Sequence, residues 1–217
     1  MSIIKACIFD LDGVIVDTAV YHYKAWRRLA NSLGFDFTEA QNEELKGISR
    51  VESLKLILKW GSITKTAAEM EMLATQKNNW YVEMIKEMTA TEILPGSKAF
   101  LAAAKANNYL IALGSASKNS RTILDQIGLT HYFDIIVDGN KVTTSKPDPE
   151  VFLKGAAELG VTPHECVVFE DAVAGVQAAK AAKMKVVGMG DAQTLKSADL
   201  VIRNLEEMTI EKLKTLG

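Results

Sequence analysis

Ile3–Gly13 reads IIKACIFDLDG, and the fold is decided here. The run Ile3–Phe9 is mostly apolar and stops abruptly at Asp10. A short apolar run without alternation reads as a strand buried on both faces, the kind found in parallel sheets. Asp10-Leu11-Asp12-Gly13 then sets two carboxylates just past the strand's carboxyl end, where doubly wound sheets bind ligands. Such close carboxylates raise each other's pKa unless a cation stands between them. A hard divalent ion, Mg²⁺ above all, would relieve that repulsion through its preference for oxygen. The plainer alternative is a turn, which Asp and Gly favour in any protein. An EF-hand loop is excluded. Counted from Asp10, its glycine and glutamate positions are filled by Ile15 and Tyr21.

Outward from that stretch, short apolar runs recur at Tyr109–Leu113, Ile135–Val137, Cys166–Phe169, Val186–Val187 and Leu200–Ile202. Helical patterns near 97–107, 119–128, 149–159 and 172–182 separate them. Strands alternating with helices predict an α/β fold, a doubly wound, Rossmann-like parallel sheet. The segment from about Thr18 to Met88 breaks the rhythm, with no convincing strand and with Met70, Leu73, Trp80, Tyr81, Met84 and Met88 near helical spacing. It reads as a helical insertion, and Leu94-Pro95-Gly96 marks the return. The expected division is a discontinuous core, 1–16 and 90–217, with an inserted α-helical domain over 17–89. Ser49 with Glu52, Thr66 with Glu69 and Thr162 with Glu165 have capping-box spacing. Asp148-Pro149 reads as a helix start.

The chain has 217 residues, with 25 Lys+Arg against 27 Asp+Glu, a net charge of −2. That balance excludes a protein held to nucleic acid by bulk positive charge. With 48% hydrophobic and 24% charged residues, the chain is ordinary for a globular protein and disorder is not expected. Two separated cysteines, Cys7 and Cys166, predict neither a disulfide scaffold nor a structural zinc site and fit a reducing compartment. No run approaches the roughly 20 apolar residues of a membrane span. The start MSIIKACIFDLDG lacks a signal-peptide core, so a cytoplasmic location is expected.

Further residues could carry chemistry. Glu170-Asp171 follows the strand Cys166–Phe169, so a second acidic pair reaches the same sheet edge and could share one metal with Asp10 and Asp12. Asp171 could instead cap the helix beginning at Ala172. Gly114-Ser115-Ala116-Ser117 lies between a strand and a helix, where N–H groups receive phosphate, although a plain serine cap reads the same way. Lys146, before Pro147, could neutralise a phosphoryl group or be a solvated loop lysine. Lys77 interrupts an apolar series, and burying an unpaired ammonium costs several kcal/mol, roughly. It is therefore expected to face a cleft, with a lysine whose head reaches water as the alternative. His22 shares a helix face with Trp26, Leu29 and Leu33, a position more often structural. Gly47-Ile48-Ser49-Arg50 opens a helix, and its N–H groups with the Arg50 guanidinium could hold a second phosphate.

In order, Asp10/Asp12, Ser115, Lys146 and Glu170/Asp171 resemble the four motifs of haloacid dehalogenase-like phosphotransferases. The resemblance spans nearly the whole core, and the helical insertion corresponds to that family's cap. The stretches DLDGVIVDTAVYHYKAW, LKGISRVESL, QKNNWY, GSASKN and SKPDP resemble the family's hexose-phosphate mutases over cap and core alike. The resemblance implies Asp10 as nucleophile, Asp12 as general acid and base with His22 as its partner, and Ser115 and Lys146 at the transferring phosphate. It implies substrate contacts at Trp26, Gly47, Ser49, Arg50, Ser53 and Lys77 on the cap, and at Ser115, Ala116, Lys118 and Asn119 on the core. It implies one Mg²⁺ held by Asp10, the Asp12 carbonyl and Asp171, with Glu170 close by.

The implied reaction interconverts β-glucose 1-phosphate and glucose 6-phosphate through an aspartyl phosphate, with β-glucose 1,6-bisphosphate as primer and intermediate. The expected partner is a small sugar phosphate, with no nucleic acid or membrane, and the expected state is a monomer. A sugar-phosphate phosphatase on the same scaffold is the alternative, because only a mutase needs a second phosphate site. A non-enzymatic receiver-like domain is a weaker one, since its phospho-acceptor sits mid-chain and it lacks a large insertion. No Gly-Lys dipeptide marks a P-loop, and Val168 stands where a zincin helix needs its second histidine. Two departures from the family pattern stand out. Lys183 sits where relatives carry glycine, and Val16 replaces a threonine near the hinge.

Overall fold

The computed structural model describes residues 3–217, so Met1 and Ser2, the start of the stretch read for a leader, lie outside it. The chain begins with β1 (Ala6–Phe9) and then four helices, α1 (Ala19–Ser32), α2 (Glu39–Glu43), α3 (Arg50–Trp60) and α4 (Ala67–Ile85). From there helix and strand alternate: α5 (Ser97–Ala106), β2 (Leu110–Gly114), α6 (Ser120–Gln126), β3 (Ile135–Val137), α7 (Glu150–Leu159) and β4 (Cys166–Glu170). The chain closes with α8 (Val173–Ala181), β5 (Lys185–Met189), β6 (Leu200–Ile202) and α9 (Ile210–Lys214). The strands form one sheet in the order β3-β2-β1-β4-β5-β6, and every pairing is parallel. This is the doubly wound architecture expected from the alternation. The strand order reverses beside β1, between β2 and β4, and such a switch point opens a crevice at the strands' carboxyl ends.

Side-chain alternation explains the continuous apolar run of β1. Cys7 and Phe9 enter the core on one face with α5, α6 and α9. Ala6 and Ile8 enter the core on the other face with α7 and α8. Phe9 stacks on Phe169 with ring centroids 4.5 Å apart, an arrangement worth about 0.5–1.5 kcal/mol beyond area burial. Cys166 belongs to the opposite face from Cys7, and both cysteines are free and buried. No helix among the described residues is long and apolar enough to cross a membrane.

The insertion has its own core of Trp26, Leu29, Phe37, Leu54, Ile57 and Leu58. Tyr81, Ile85 and Met88 instead join Val14, Ile15 and Val16 in the sheet's core, which ties the end of α4 to the rest. The outgoing and returning chain segments are bonded to each other. Val16 bridges both Asp12 and Ile93, Asp17 N–H donates to the Glu92 carbonyl (2.9 Å) and Leu94 N–H to the Ile15 carbonyl (3.0 Å). Backbone pairing thus supplies hydrogen bonds where Val16 has no hydroxyl to offer.

The capping signals hold with changes of detail. Thr66 and Glu69 form the full box at α4. Ser49 caps α3 by accepting from Glu52 N–H. Thr162 and Glu165 bracket a single 3₁₀ turn, Pro163–Glu165, since β4 begins directly after it. Asp148 accepts from Glu150 N–H at 2.9 Å, one residue past the predicted start of α7. Asp171 does not cap α8. The Glu170 carboxylate takes the Ala172 N–H instead, at 2.8 Å.

Lys183 ends α8 with φ of 61°, a left-handed conformation that costs a side-chain-bearing residue about 1–2 kcal/mol. Lys183→Gly relieves that strain and adds flexibility to the unfolded chain, which offsets part of the gain. The expected net stabilisation is about 0.5–1 kcal/mol, read as a higher midpoint in urea. A lower midpoint would show that the Lys183 side chain contributes contacts of its own.

Candidate active site

The carboxyl ends of β1 and β4 lie side by side, because Phe9 pairs with Phe169. Asp10 and Glu170 leave these ends as neighbours, and both are buried. Lys146, on the loop before α7, lies between them with Nζ 2.6 Å from Asp10 Oδ1 and 2.5 Å from Glu170 Oε1. The two carboxylates hold the Lys146 ammonium above its ordinary pKa in spite of complete burial. One face of the ammonium rests 4.7 Å from the centre of the Phe152 ring.

Asp12, two residues on from Asp10, accepts a hydrogen bond from the Thr18 hydroxyl. Thr18 stands at the N-cap position of α1 and its side chain makes no cap bond. The hydroxyl is spent on Asp12. Removal from water and the charge of Asp10 push the Asp12 carboxyl up to about 7. Near neutral pH such a group can both give and take a proton. Asp171 lies against Gly13, where a Cβ would meet its Oδ2 at 2.1 Å. Burial and the neighbouring Glu170 and Asp10 raise its pKa well above the usual carboxylate range.

The insertion closes over this edge. Lys46 reaches 3.6 Å from Asp171 Oδ2. Gly47, with φ of +75°, lies so close to Ala172 that a Cβ would stand 3.0 Å from that residue's own. Asn78 accepts from the Asn119 side-chain amide at 3.0 Å. A cavity of about 870 Å³ remains between the two parts. Its core-side wall includes Asp10, Asp12, Ala116, Lys118, Asn119 and Asp171. Its cap-side wall includes His22, Trp26, Gly47, Arg50, Ser53 and Lys77. Ser115, Lys146 and Glu170 lie beneath the floor and are almost wholly buried. The Ser115 hydroxyl accepts from Ser117 N–H at 3.1 Å and shapes the loop below the cavity. Ser49 is not part of the wall, and its hydroxyl caps α3.

Lys77 faces the cleft, as its interruption of an apolar series predicts, and it is only 2% exposed. Its Nζ lies 3.0 Å from His22 Nδ1 and over the rings of Trp26 at 4.4 Å and Tyr81 at 4.7 Å. Burial, with Arg50 nearby, drives the ammonium well below its ordinary pKa. His22 falls in the same way through burial and the neighbouring Lys77 and Arg50. Arg50 opens α3 on the cavity wall, and burial lowers its pKa too. Lys77, His22 and Arg50 thus share the wall of one cavity with Asp10, Asp12 and Asp171. That pattern suits an anionic, polyhydroxylated ligand.

A model of the haloacid dehalogenase-like hydrolases matches residues 4–183. The chain belongs to the haloacid dehalogenase-like hydrolase family. Among its curated relatives, the β-phosphoglucomutase of Bacillus subtilis is 44% identical over 96% of this chain and 93% of that protein. A phosphorylated carbohydrates phosphatase of Thermotoga maritima is 31% identical over 97% of this chain and 98% of its own length. The crystal structure of β-phosphoglucomutase from Clostridium difficile superposes with a TM-score of 0.95 at 45% identity, over 98% of this chain and 96% of that one.

Within this haloacid dehalogenase-like site, sequence reasoning missed Thr18, Asn78 and the pairing of Lys46 with Asp171, although Lys46 stands in the LKGISRVESL stretch that carries the resemblance. Thr18 carries one usable signal, a threonine at a helix start just after an acidic loop. The roles of Asn78 and Lys46 arise only when the cap meets the core. His22 touches Lys77 where the resemblance implied Asp12 as its partner, and Thr18 holds Asp12 instead.

Proposed function

We propose that this chain is a β-phosphoglucomutase, an enzyme of carbohydrate metabolism in the isomerase class. It interconverts β-D-glucose 1-phosphate and D-glucose 6-phosphate through β-glucose 1,6-bisphosphate. The observation that carries the reading is Arg50 at the start of α3, on the same closed cavity as Asp10 and Asp12. One end of a bisphosphate meets the nucleophile while the other is held by the cap.

An Asp10 carboxylate oxygen attacks phosphorus, and the bond from phosphorus to the sugar oxygen breaks. Asp12 gives its proton to that departing oxygen. In the other half-reaction the 6-hydroxyl of β-glucose 1-phosphate attacks the phosphorus of the aspartyl phosphate, Asp12 takes the hydroxyl proton, and the Asp10 carboxylate departs. The 1,6-bisphosphate so formed turns over in the site and returns its 1-phosphate to Asp10, leaving glucose 6-phosphate. Lys146 and Ser115 neutralise and orient the transferring group, which is where phosphoryl transfer is mainly catalysed. Lys118 and Asn119 meet the ligand from the core, and Trp26, Ser53, Lys77 and His22 meet it from the cap. Gly47 and Ser49 shape the α3 start beside Arg50. Residues 17–89 act as the cap over a core of 1–16 and 90–217, and closure excludes water from the aspartyl phosphate.

A single Mg²⁺ fits the donors. No three acidic, His or Cys side chains among the described residues converge into a ready cage. Mg²⁺ asks for one or two carboxylates and keeps several waters and phosphate oxygens. Asp10, Asp171 and the Asp12 carbonyl would hold it, with Glu170 behind them. Asp171 lies so close to Gly13 that its carboxylate borders the loop carrying Asp10 and Asp12. Bound there, the ion would offset negative charge on the transferring phosphoryl group. A monomer in the cytoplasm completes the proposal, and the two buried free thiols suit a reducing compartment.

The deciding measurement supplies β-glucose 1-phosphate with a trace of the bisphosphate and follows glucose 6-phosphate against inorganic phosphate. Glucose 6-phosphate is the expected main product, and mainly free phosphate would replace the mutase with a phosphatase. Arg50→Ala is expected to slow the conversion about 10²-fold, because a charge-assisted, bidentate phosphate contact contributes about 1.5–3 kcal/mol. An unchanged rate would remove the cap site as a phosphate holder.

A further inference from the structure

The loop Ser115–Asn119 supplies Ala116, Lys118 and Asn119 to the cavity wall, yet it lies outside any helix or strand. Something must fix it. Ser115 N–H donates to the Val137 carbonyl at the end of β3 (3.0 Å). Just beyond that strand, Gly139 N–H donates to the Ser117 carbonyl (3.1 Å). The Asn140 side-chain amide donates to the Lys118 carbonyl (3.0 Å). The turn is itself held in shape. Asp138 accepts from Asn140 N–H at 2.9 Å and from the Asn140 amide at 3.1 Å. Past the turn, Glu150 accepts from Thr143 and Thr144 N–H at 2.9 and 2.7 Å.

Gly139 makes the contact closer than any other residue allows. A Cβ there would stand 2.3 Å from the Ala116 carbonyl oxygen, a backbone atom that cannot swing aside. On its far side the same loop is tied to the cap, through Asn119 to Asn78. The loop is therefore suspended between a core turn and a cap helix.

We infer that Gly139 and Asn140 are positioning residues of this site. They touch no reacting atom. They fix the backbone of the Ser115–Asn119 loop, so that Lys118 and Asn119 are preset for the phosphorylated ligand before the cap closes on Asn119. The kinetic side of this inference rests on the mutase reading. The structural side does not.

Two variants test it. Asn140 is exposed, so Asn140→Ala leaves the fold intact and removes the one side-chain bond it makes to the loop, together with the brace to Asp138 inside the turn. Gly139→Ala forces the Ala116 carbonyl to move. Amide hydrogen exchange across the loop and steady-state kinetics with β-glucose 1-phosphate are measured for both. Asn140→Ala is expected to speed exchange within residues 115–119 about fivefold and to raise KM about threefold, with kcat within twofold. Those fold-changes match the loss of one ordinary hydrogen bond. Gly139→Ala is expected to lower kcat/KM about tenfold or more. Unchanged loop exchange in Asn140→Ala, or faster exchange with unchanged KM, overturns the inference. Wild-type turnover is the control for the mutase reading, and should that control fail, the exchange result alone still decides whether the turn holds the loop.

Discussion

Lys146→Met is expected to destabilise the folded protein by about 3–5 kcal/mol, the usual cost of leaving a buried charge without its partner. The side chain is 3% exposed and serves two carboxylates at once. Methionine has similar length and fills the volume beside Phe152, so packing loss is a small part of the effect. What remains is Asp10 and Glu170 together in a buried space with no cation between them. Burial already pushes the Glu170 carboxyl upward in the wild type, and removing the ammonium pushes it further. A carboxyl that ionises less readily in the folded than in the unfolded chain penalises folding as pH rises through its folded pKa. The loss is therefore expected to be smaller at pH 5 than at pH 8. Denaturant unfolding of both proteins at the two pH values measures it. A loss below about 1 kcal/mol at pH 8 would mean that the carboxylates find another counter-charge, against the usual cost of a broken buried pair. Catalysis is expected to fall by about 10²–10³-fold, as for removal of a preorganised group facing transition-state charge.

The second large effect is kinetic. Asp12→Asn is expected to reduce kcat by about 10²–10⁴-fold, the range for losing a general acid-base. An asparagine can still accept from the Thr18 hydroxyl, so the loop beyond β1 keeps its shape. The unfolding midpoint should stay level with the wild type or rise, because a carboxyl strained by its Asp10 neighbour has been replaced by a neutral group. Opposite signs on rate and stability separate a chemical role from a structural one. Initial rates at saturating substrate, run beside an unfolding curve, give both. A variant that keeps a tenth of the rate would remove Asp12 from proton transfer.

How far the sequence carried these roles depends on where the information lay. The strand pattern was legible because a doubly wound sheet buries each strand on both faces, and apolar runs such as CVVF have few other uses. Asp10, Asp12, Glu170 and Asp171 were legible because they follow such strands directly. Lys77 was legible by contradiction, as a charge inside an apolar helical series. Thr18, Asn78 and Asn140 were not. Each is a small polar residue at a helix start, a helix surface or a turn, where such residues occur for local reasons. Their partners, Asp12, Asn119 and the Lys118 carbonyl, are fixed by tertiary placement alone. The alternative reading of Asp171 as a helix cap does not hold, for a related reason. Glu170, one residue earlier, has the reach to take the Ala172 N–H while still holding Lys146.

The position of β1 at the sheet's switch point also bears on the protein's synthesis. The strand that delivers Asp10 leaves the ribosome well before its two neighbours, residues 110–114 and 166–170. A nascent chain carries this apolar segment unpaired on one side until β2 emerges, and on the other until β4 emerges. Pairings between parallel strands this distant in sequence form late and slowly, and exposed apolar segments invite association. The all-helical insertion, made in the interval, has an apolar core of its own and can order while β1 waits. β1 is thus made before either of its partners, and Asp10 is set in place only once β4 has followed.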